Sequence, residues 1–211
     1  ELGTVLQSTG QQINQLNLEF DRIDNNRRQL LAGIAEYVGE RVRRSEVARL
    51  TFICTHNSRR SQMSQIWAQA AANYWGVSPV EAYSGGTEVT AFHPNAIRAM
   101  REAGFQVSGD DKQDNPHYQV TGDNWERPLL VFSKVFDQPP NPTEDYAAVM
   151  TCGHADTNCP YIFGCDARFT LQYEDPKAFD GMDIEQAGYA RRARQIGREM
   201  LFLFSQVKQG R

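Results

Sequence analysis

The sequence predicts a three-layer α/β domain with a mainly parallel central sheet over residues 49–211, preceded by a helical extension over residues 1–48. Three observations carry this expectation. An apolar, β-branched run at 50–53 ends in Cys54 and leads through a short polar loop into a helical stretch at 62–75. A second strand pattern follows at 80–83, so strand, helix and strand fit into roughly thirty-odd residues, the size of a parallel βαβ unit. Helical apolar spacing then dominates both ends of the chain.

Taken in order, residues 1–22 are rich in Gln and Asn, with Ile13, Leu16 and Phe20 at helical spacing. Asp24 suits the N-cap of a helix over 25–44. Leu30, Leu31, Ile34, Val38 and Val42 mark its apolar stripe, and Arg27, Arg28, Glu36, Glu40 and Arg43 its polar face. Such an extension is expected to pack on the domain or to pair two copies as a homodimer. After the loop, Met63, Ile66, Trp67, Ala70 and Tyr74 give the next helix an inner face, and Gly76 stops it. Ser84-Gly85-Gly86-Thr87 closes the second strand. Pro94 opens a helix over 95–103 that ends at Gly104.

Residues 106–127 are polar and read as a loop over the rim of a site. A strand at 129–135 is expected as an added or edge strand, and one at 146–151, with Val149 and Met150, as central. Cys152 to Pro160 leaves that strand as a loop, 169–173 forms a short strand, and Glu174-Asp175-Pro176 opens another loop. Asp183 caps a last helix over 184–207 with Ala193, Ile196, Met200, Phe204 and Val207 inward and Arg191, Arg192, Arg194 and Arg198 on its wet face.

Composition narrows the function. The chain's 211 residues are 40% hydrophobic, enough for one sizeable core. A net charge of −4 argues against a general nucleic-acid binder. No apolar run approaches a membrane span, and no basic start precedes an apolar core as in a secretory leader. Four cysteines in a chain this long do not make a disulfide scaffold, so a cytoplasmic protein with catalytic or redox cysteines is expected.

The chemistry centres on Cys54 and the segment Thr55, His56, Asn57, Ser58, Arg59, Arg60, Ser61. A loop between a strand and a helix N-terminus presents backbone N–H groups and partial positive charge to an anion. Arg60 can close that cup with a planar fork for a tetrahedral oxyanion. Cys54 then sits at the bottom of a positive bowl, which favours thiolate over thiol, and Ser61 can donate to the sulfur. Cys152 also falls at the carboxyl end of a strand, where open parallel sheets hold their ligands, and Cys159 lies seven positions further on. Three such thiols suit serial disulfide exchange. A zinc site from Cys152, His154, Cys159 and Cys165 is the bland alternative; its spacing is not a two-pair knuckle, and it ignores Cys54.

Cys-x5-Arg-Ser with Asn57 inside it resembles the low-molecular-weight protein tyrosine phosphatase superfamily. Cys-Gly-x5-Cys-Pro at Cys152, Cys159 and Pro160 resembles its thioredoxin-coupled arsenate reductases. The likeness runs from about residue 50 to residue 207, with an insertion around 129–145. It implies that Cys54 attacks arsenate, Cys152 resolves the adduct, and Cys159 carries the oxidation outward to a thioredoxin-like dithiol, with no bound cofactor or metal. Asp175-Pro176 matches the acid loop, where an Asp protonates the leaving oxygen. The same cup would let a phosphatase hydrolyse phosphotyrosine or other phosphomonoesters. Against that, Lys177 and Ala178 stand where an aromatic pair would sandwich a phenol, and Cys152 and Cys159 would be idle. His56 stands where glycine is frequent, Arg59 replaces a small or sulfur residue, and Cys165 has no counterpart, being either inert or an alternative resolving thiol. Gln65 replaces a glutamate that some reductases use with Asn57 and Ser84 in a potassium site.

Overall fold

The computed structural model describes residues 8–110, 112–158 and 161–210. Helix α1 (Thr9–Asn17) starts at a capping box in which Ser8 and Gln11 satisfy each other's backbone N–H. Helix α2 (Asn25–Arg43) is capped by Asp24, whose side chain accepts from Arg27 N. There follow β1 (Ala48–Cys54), α3 (Arg60–Trp75), β2 (Val80–Gly86), α4 (Pro94–Glu102), β3 (Gln106–Ser108), β4 (Tyr118–Thr121) and β5 (Leu129–Val131). The chain ends with β6 (Tyr146–Met150), α5 (Gly153–Asn158), β7 (Cys165–Thr170) and α6 (Glu185–Gln209).

The central sheet runs β2-β1-β6-β7 with every neighbour parallel. Alternation along the strands sorts its two faces. Leu50, Phe52, Ala147 and Val149 join the large core under α2, α3 and α6. Ile53, Tyr146, Ala148 and Met150 face a smaller cluster with Cys152, Ala155 and Ile162, covered by α5 and the segments beside it. The extension packs on this same chain: Leu16, Leu31, Ile34 and Val38 are fully buried in the large core. Leu30 falls outside the stripe and is 45% exposed, as is Tyr74 at the end of α3.

Several expectations are corrected. Residues 106–127 are not a simple loop, because β3 and β4 lie within them. The 129–135 stretch does not edge the main sheet: β5 pairs antiparallel with β4 in a second sheet ordered β3-β4-β5. Val135 reaches the main sheet only as a single parallel bridge to Gly86. Residues 153–158 are helical, and β7 begins at Cys165, ahead of the expected 169. Ile184 occupies the N-cap of α6, with no side-chain cap from Asp183. Its arginines are not simply a wet face. Arg194 and Arg198 both bind Glu19 of the extension, and Arg192 is buried against Gln195 and Glu174. Periodicity cannot distinguish water from a docked segment opposite a charged face.

Candidate active site

The loop from β1 to α3 turns on Asn57, whose φ of 45° is the left-handed region that Asn tolerates better than most residues. His56 does not take a positive φ, so no strain attaches to its replacing glycine. Asn57 is fully buried, and its N–H points back at the Cys54 sulfur at 3.2 Å. Its Nδ2 donates to Ser61 Oγ at 2.8 Å, and Ser61 Oγ lies 3.0 Å from Cys54 Sγ. With the amide donating to the hydroxyl oxygen, Ser61's own proton is directed to the sulfur. The N–H groups of His56, Ser58 and Arg59 make no hydrogen bond among the described residues. The first turn of α3 adds its own orphan donors. The result is a cup of N–H groups above one sulfur.

Residues 133–136 brace the loop from outside. Lys134 N donates to Asn57 Oδ1 at 3.0 Å, and Ser133 Oγ donates to His56 O at 3.1 Å. Gly86 N donates to Lys134 O, and Phe136 N returns to Gly86 O. A Cβ on Gly86 would lie 2.6 Å from Thr55 O and 2.8 Å from Asn57 N, so glycine is required for β2 to pass this close. The Lys134 side chain is 3% exposed, donates to Phe132 O at 3.1 Å and lies over the Phe132 ring. Burial pushes its amine down to about 8.

Arg60 leans across the cup to the far wall. Its Nη1 donates to Tyr173 O at 3.0 Å and its Nη2 to Asp175 Oδ2 at 2.7 Å. Asp175 also caps the short turn Pro176–Phe179 through Lys177 N. Arg59 does not point to solvent: it donates to Tyr189 Oη at 2.9 Å and faces Asp180 and Asp175. Burial, then the bond to Asp180, pushes the Tyr189 phenol up to about 12. The His56 ring turns outward to Glu88.

Cys54 and Cys152 lie at the ends of adjacent parallel strands, which run about 4.8 Å apart. Both are free and buried in one cluster. Thr55 Oγ1 lies 3.5 Å from Cys152 Sγ and 3.2 Å from His154 Nδ1. Cys152 heads α5, with Ala155 N donating to its sulfur at 3.4 Å. Asp156 ties that helix to the neighbouring strand region through Arg168, Thr170 and Gln172. Cys159 lies outside the described residues. Cys165 donates to Ile162 O, and burial raises its pKa. Among the described residues no group of three or more His, Cys, Asp or Glu side chains could hold a metal.

Ser84 and Gln65, at positions that some reductases use for potassium, have other partners. Ser84 Oγ donates to Gln65 Oε1 at 2.7 Å, while Gln65 Nε2 donates to Ala82 O and Leu130 O. An amide N–H pair facing two carbonyls does not fit a cation ligand. The structure thus gathers Cys54, Asn57, Arg60, Ser61, Cys152 and Asp175, while the His56 ring stays outside. Sequence reasoning missed Tyr173, Ser133 and Lys134, whose main-chain atoms or bracing contacts matter more than their side-chain chemistry.

A family model described as low molecular weight phosphotyrosine protein phosphatase matches residues 49–117. An arsenate reductase from Halalkalibacterium halodurans is 30% identical over 151 residues, spanning 71% of this chain and 89% of its own. One from Bacillus subtilis is 29% identical over 151 residues, 71% of this chain and 89% of its own. Among solved structures, a YwlE mutant from Bacillus subtilis superposes with a TM-score of 0.53 at 18% identity, covering 76% of this chain and 99% of its own. An arsenate reductase in its phosphate-binding state gives 0.51 at 22% identity, covering 76% of this chain and 98% of its own. With its strand-end cysteine, serine-backed anion cup and parallel sheet, the chain belongs to the low-molecular-weight phosphotyrosine protein phosphatase family and is arsenate reductase-like within it.

Proposed function

We propose that this chain reduces arsenate to arsenite by a thiol relay. The observation that carries the reading is the placement of Cys54 and Cys152 at adjacent strand ends in one buried cluster, with the Thr55 hydroxyl 3.5 Å from the Cys152 sulfur. Arsenate occupies the cup, held by the loop N–H groups and by Arg60. Cys54 attacks arsenic while Asp175 protonates the departing oxygen, which leaves as water. Cys152 then attacks Cys54: the S–S bond forms, the S–As bond breaks, and arsenic keeps the electron pair, passing from As(V) to As(III). Cys159 attacks Cys152 and frees Cys54, and an external thioredoxin-like dithiol restores both thiols.

The second exchange requires motion. In this reading helix α5, residues 153–158, unwinds to bring Cys159 to Cys152 and releases Asp156 from Arg168, Thr170 and Gln172. A cytoplasmic setting supplies the reductant the relay needs. Among the described residues no helix is long and apolar enough to cross a membrane.

Phosphomonoester hydrolysis is the second reading, favoured by Asp175 lying 2.7 Å from Arg60 on the rim of the same cup. Replacing Cys152 with serine separates the two. Under the relay, arsenate turnover with a dithiol donor collapses while p-nitrophenyl phosphate hydrolysis persists. A parent protein that hydrolyses the ester but reduces no arsenate makes phosphatase the function.

A further inference from the structure

We infer that Arg27, in the helical extension, is a positioning residue for Arg60, acting through the buried residue Tyr173. The inference rests on the reading that Arg60 binds the oxyanion. Arg60 takes its orientation from two acceptors, Tyr173 O and Asp175 Oδ2. Tyr173 is 4% exposed and sits between the site and the extension. Its N–H donates to Thr151 O, and Thr151 N donates to Ile53 O, so its backbone continues the sheet beside Cys54. The Arg27 guanidinium lies over its ring, 4.6 Å from the centroid.

Arg27 is itself fixed. Its N–H donates to the capping carboxylate of Asp24, while Nε and Nη2 each lie 2.9 Å from Glu199 Oε2 on α6. Glu199 is 3% exposed, and its other oxygen accepts from Gln195. Burial works against the Arg27 charge, but Tyr173 and Glu199 outweigh it and leave its pKa raised. Burial, then the Glu199 carboxylate, drives the Tyr173 phenol well above its usual value. A desolvated cation on a ring face, paired to a buried carboxylate, holds position more firmly than an exposed pair does. The path runs from α2 through Tyr173 to the anion-binding fork. The extension has a second anchor, Glu19 with Arg194 and Arg198, which does not touch Tyr173 and serves as a control.

The test compares the full chain with Arg27→Gln and Glu19→Gln. It measures inorganic phosphate affinity by calorimetry and kcat and KM with p-nitrophenyl phosphate. Arg27→Gln is expected to weaken phosphate binding and raise KM about tenfold with kcat changed less than about threefold, because the fork is misaimed while the thiol is intact. Glu19→Gln is expected to lower stability and leave affinity and KM at the parent values. If Arg27→Gln does not fold, Tyr173→Leu is measured in its place, with the same rise expected. Parental phosphate affinity in a folded Arg27 or Tyr173 variant overturns the inference, as does an equal loss in Glu19→Gln. A parent that binds phosphate but turns over neither ester nor arsenate removes the functional reading and leaves the affinity comparison to decide Arg27. A parent that binds no phosphate removes both.

Discussion

Replacing Asn57 with alanine perturbs the site at the point where most of its geometry converges. The side chain makes two hydrogen bonds in full burial, to Ser61 Oγ at 2.8 Å and from Lys134 N at 3.0 Å. Loss of the acceptor leaves the Lys134 N–H buried and unsatisfied, which costs about 1–3 kcal/mol, and loss of the Ser61 bond about 1 kcal/mol more. Alanine at φ 45° adds about 1 kcal/mol. Together these lower stability by about 3–5 kcal/mol, measurable by denaturant unfolding. Asn57→Gly removes the same bonds without the backbone strain and should recover about 1 kcal/mol of the loss. Both variants release the Ser61 proton from the sulfur, so kcat for p-nitrophenyl phosphate should fall about 100-fold, the scale of one positioned donor. Alanine and glycine variants within 1 kcal/mol of the parent, or an unchanged kcat, would refute this reasoning.

Further consequences follow from the same contacts. Gly86→Ala drives a Cβ against Thr55 O and Asn57 N, so the loop must shift; phosphate affinity measured by calorimetry should drop at least tenfold, and parental affinity would contradict the packing argument. Lys134 has a folded value, about 8, below its ordinary 10.5, so its burial costs stability at every pH below about 8, and the cost is relieved as pH climbs towards 10.5. Unfolding free energies should therefore rise by about 1–3 kcal/mol between pH 7.5 and pH 10 in the parent, and Lys134→Met should be more stable at pH 7 without that rise. Asp175→Asn should lower kcat for phenyl phosphate, whose leaving group needs a proton, about 100-fold, and lower kcat much less for p-nitrophenyl phosphate; equal losses on both esters would argue for a binding role instead.

The central sheet and the nucleophile loop were legible because local pattern and chemistry coincide there. The apolar, β-branched run into Cys54 reads as a strand, and Asn57, Arg60 and Ser61 follow at the spacing of the Cys-x5-Arg-Ser motif that carries the family resemblance. The second sheet was not legible as a sheet: β3 and β4 are too short to show an alternation, so β5, read within the strand at 129–135, had no visible partners. Helix α5 was hidden in the polar stretch after Cys152, where propensity is weak and the tie from Asp156 to Arg168, Thr170 and Gln172 depends on tertiary contacts. Lys134 and Tyr173 support the site through main-chain N–H and C=O groups, which every residue type carries. Arg27 read as one charge on a solvated face, because nothing local reveals that Glu199, far along the chain, lies opposite it.

The direct measurement is mass spectrometry of disulfides after one turnover with arsenate and no external dithiol. The account predicts a Cys152–Cys159 linkage in the parent and a trapped Cys54–Cys152 linkage in Cys159→Ser, each with one equivalent of arsenite released. Arsenite released with neither linkage, or a Cys54–Cys165 linkage in their place, would contradict it.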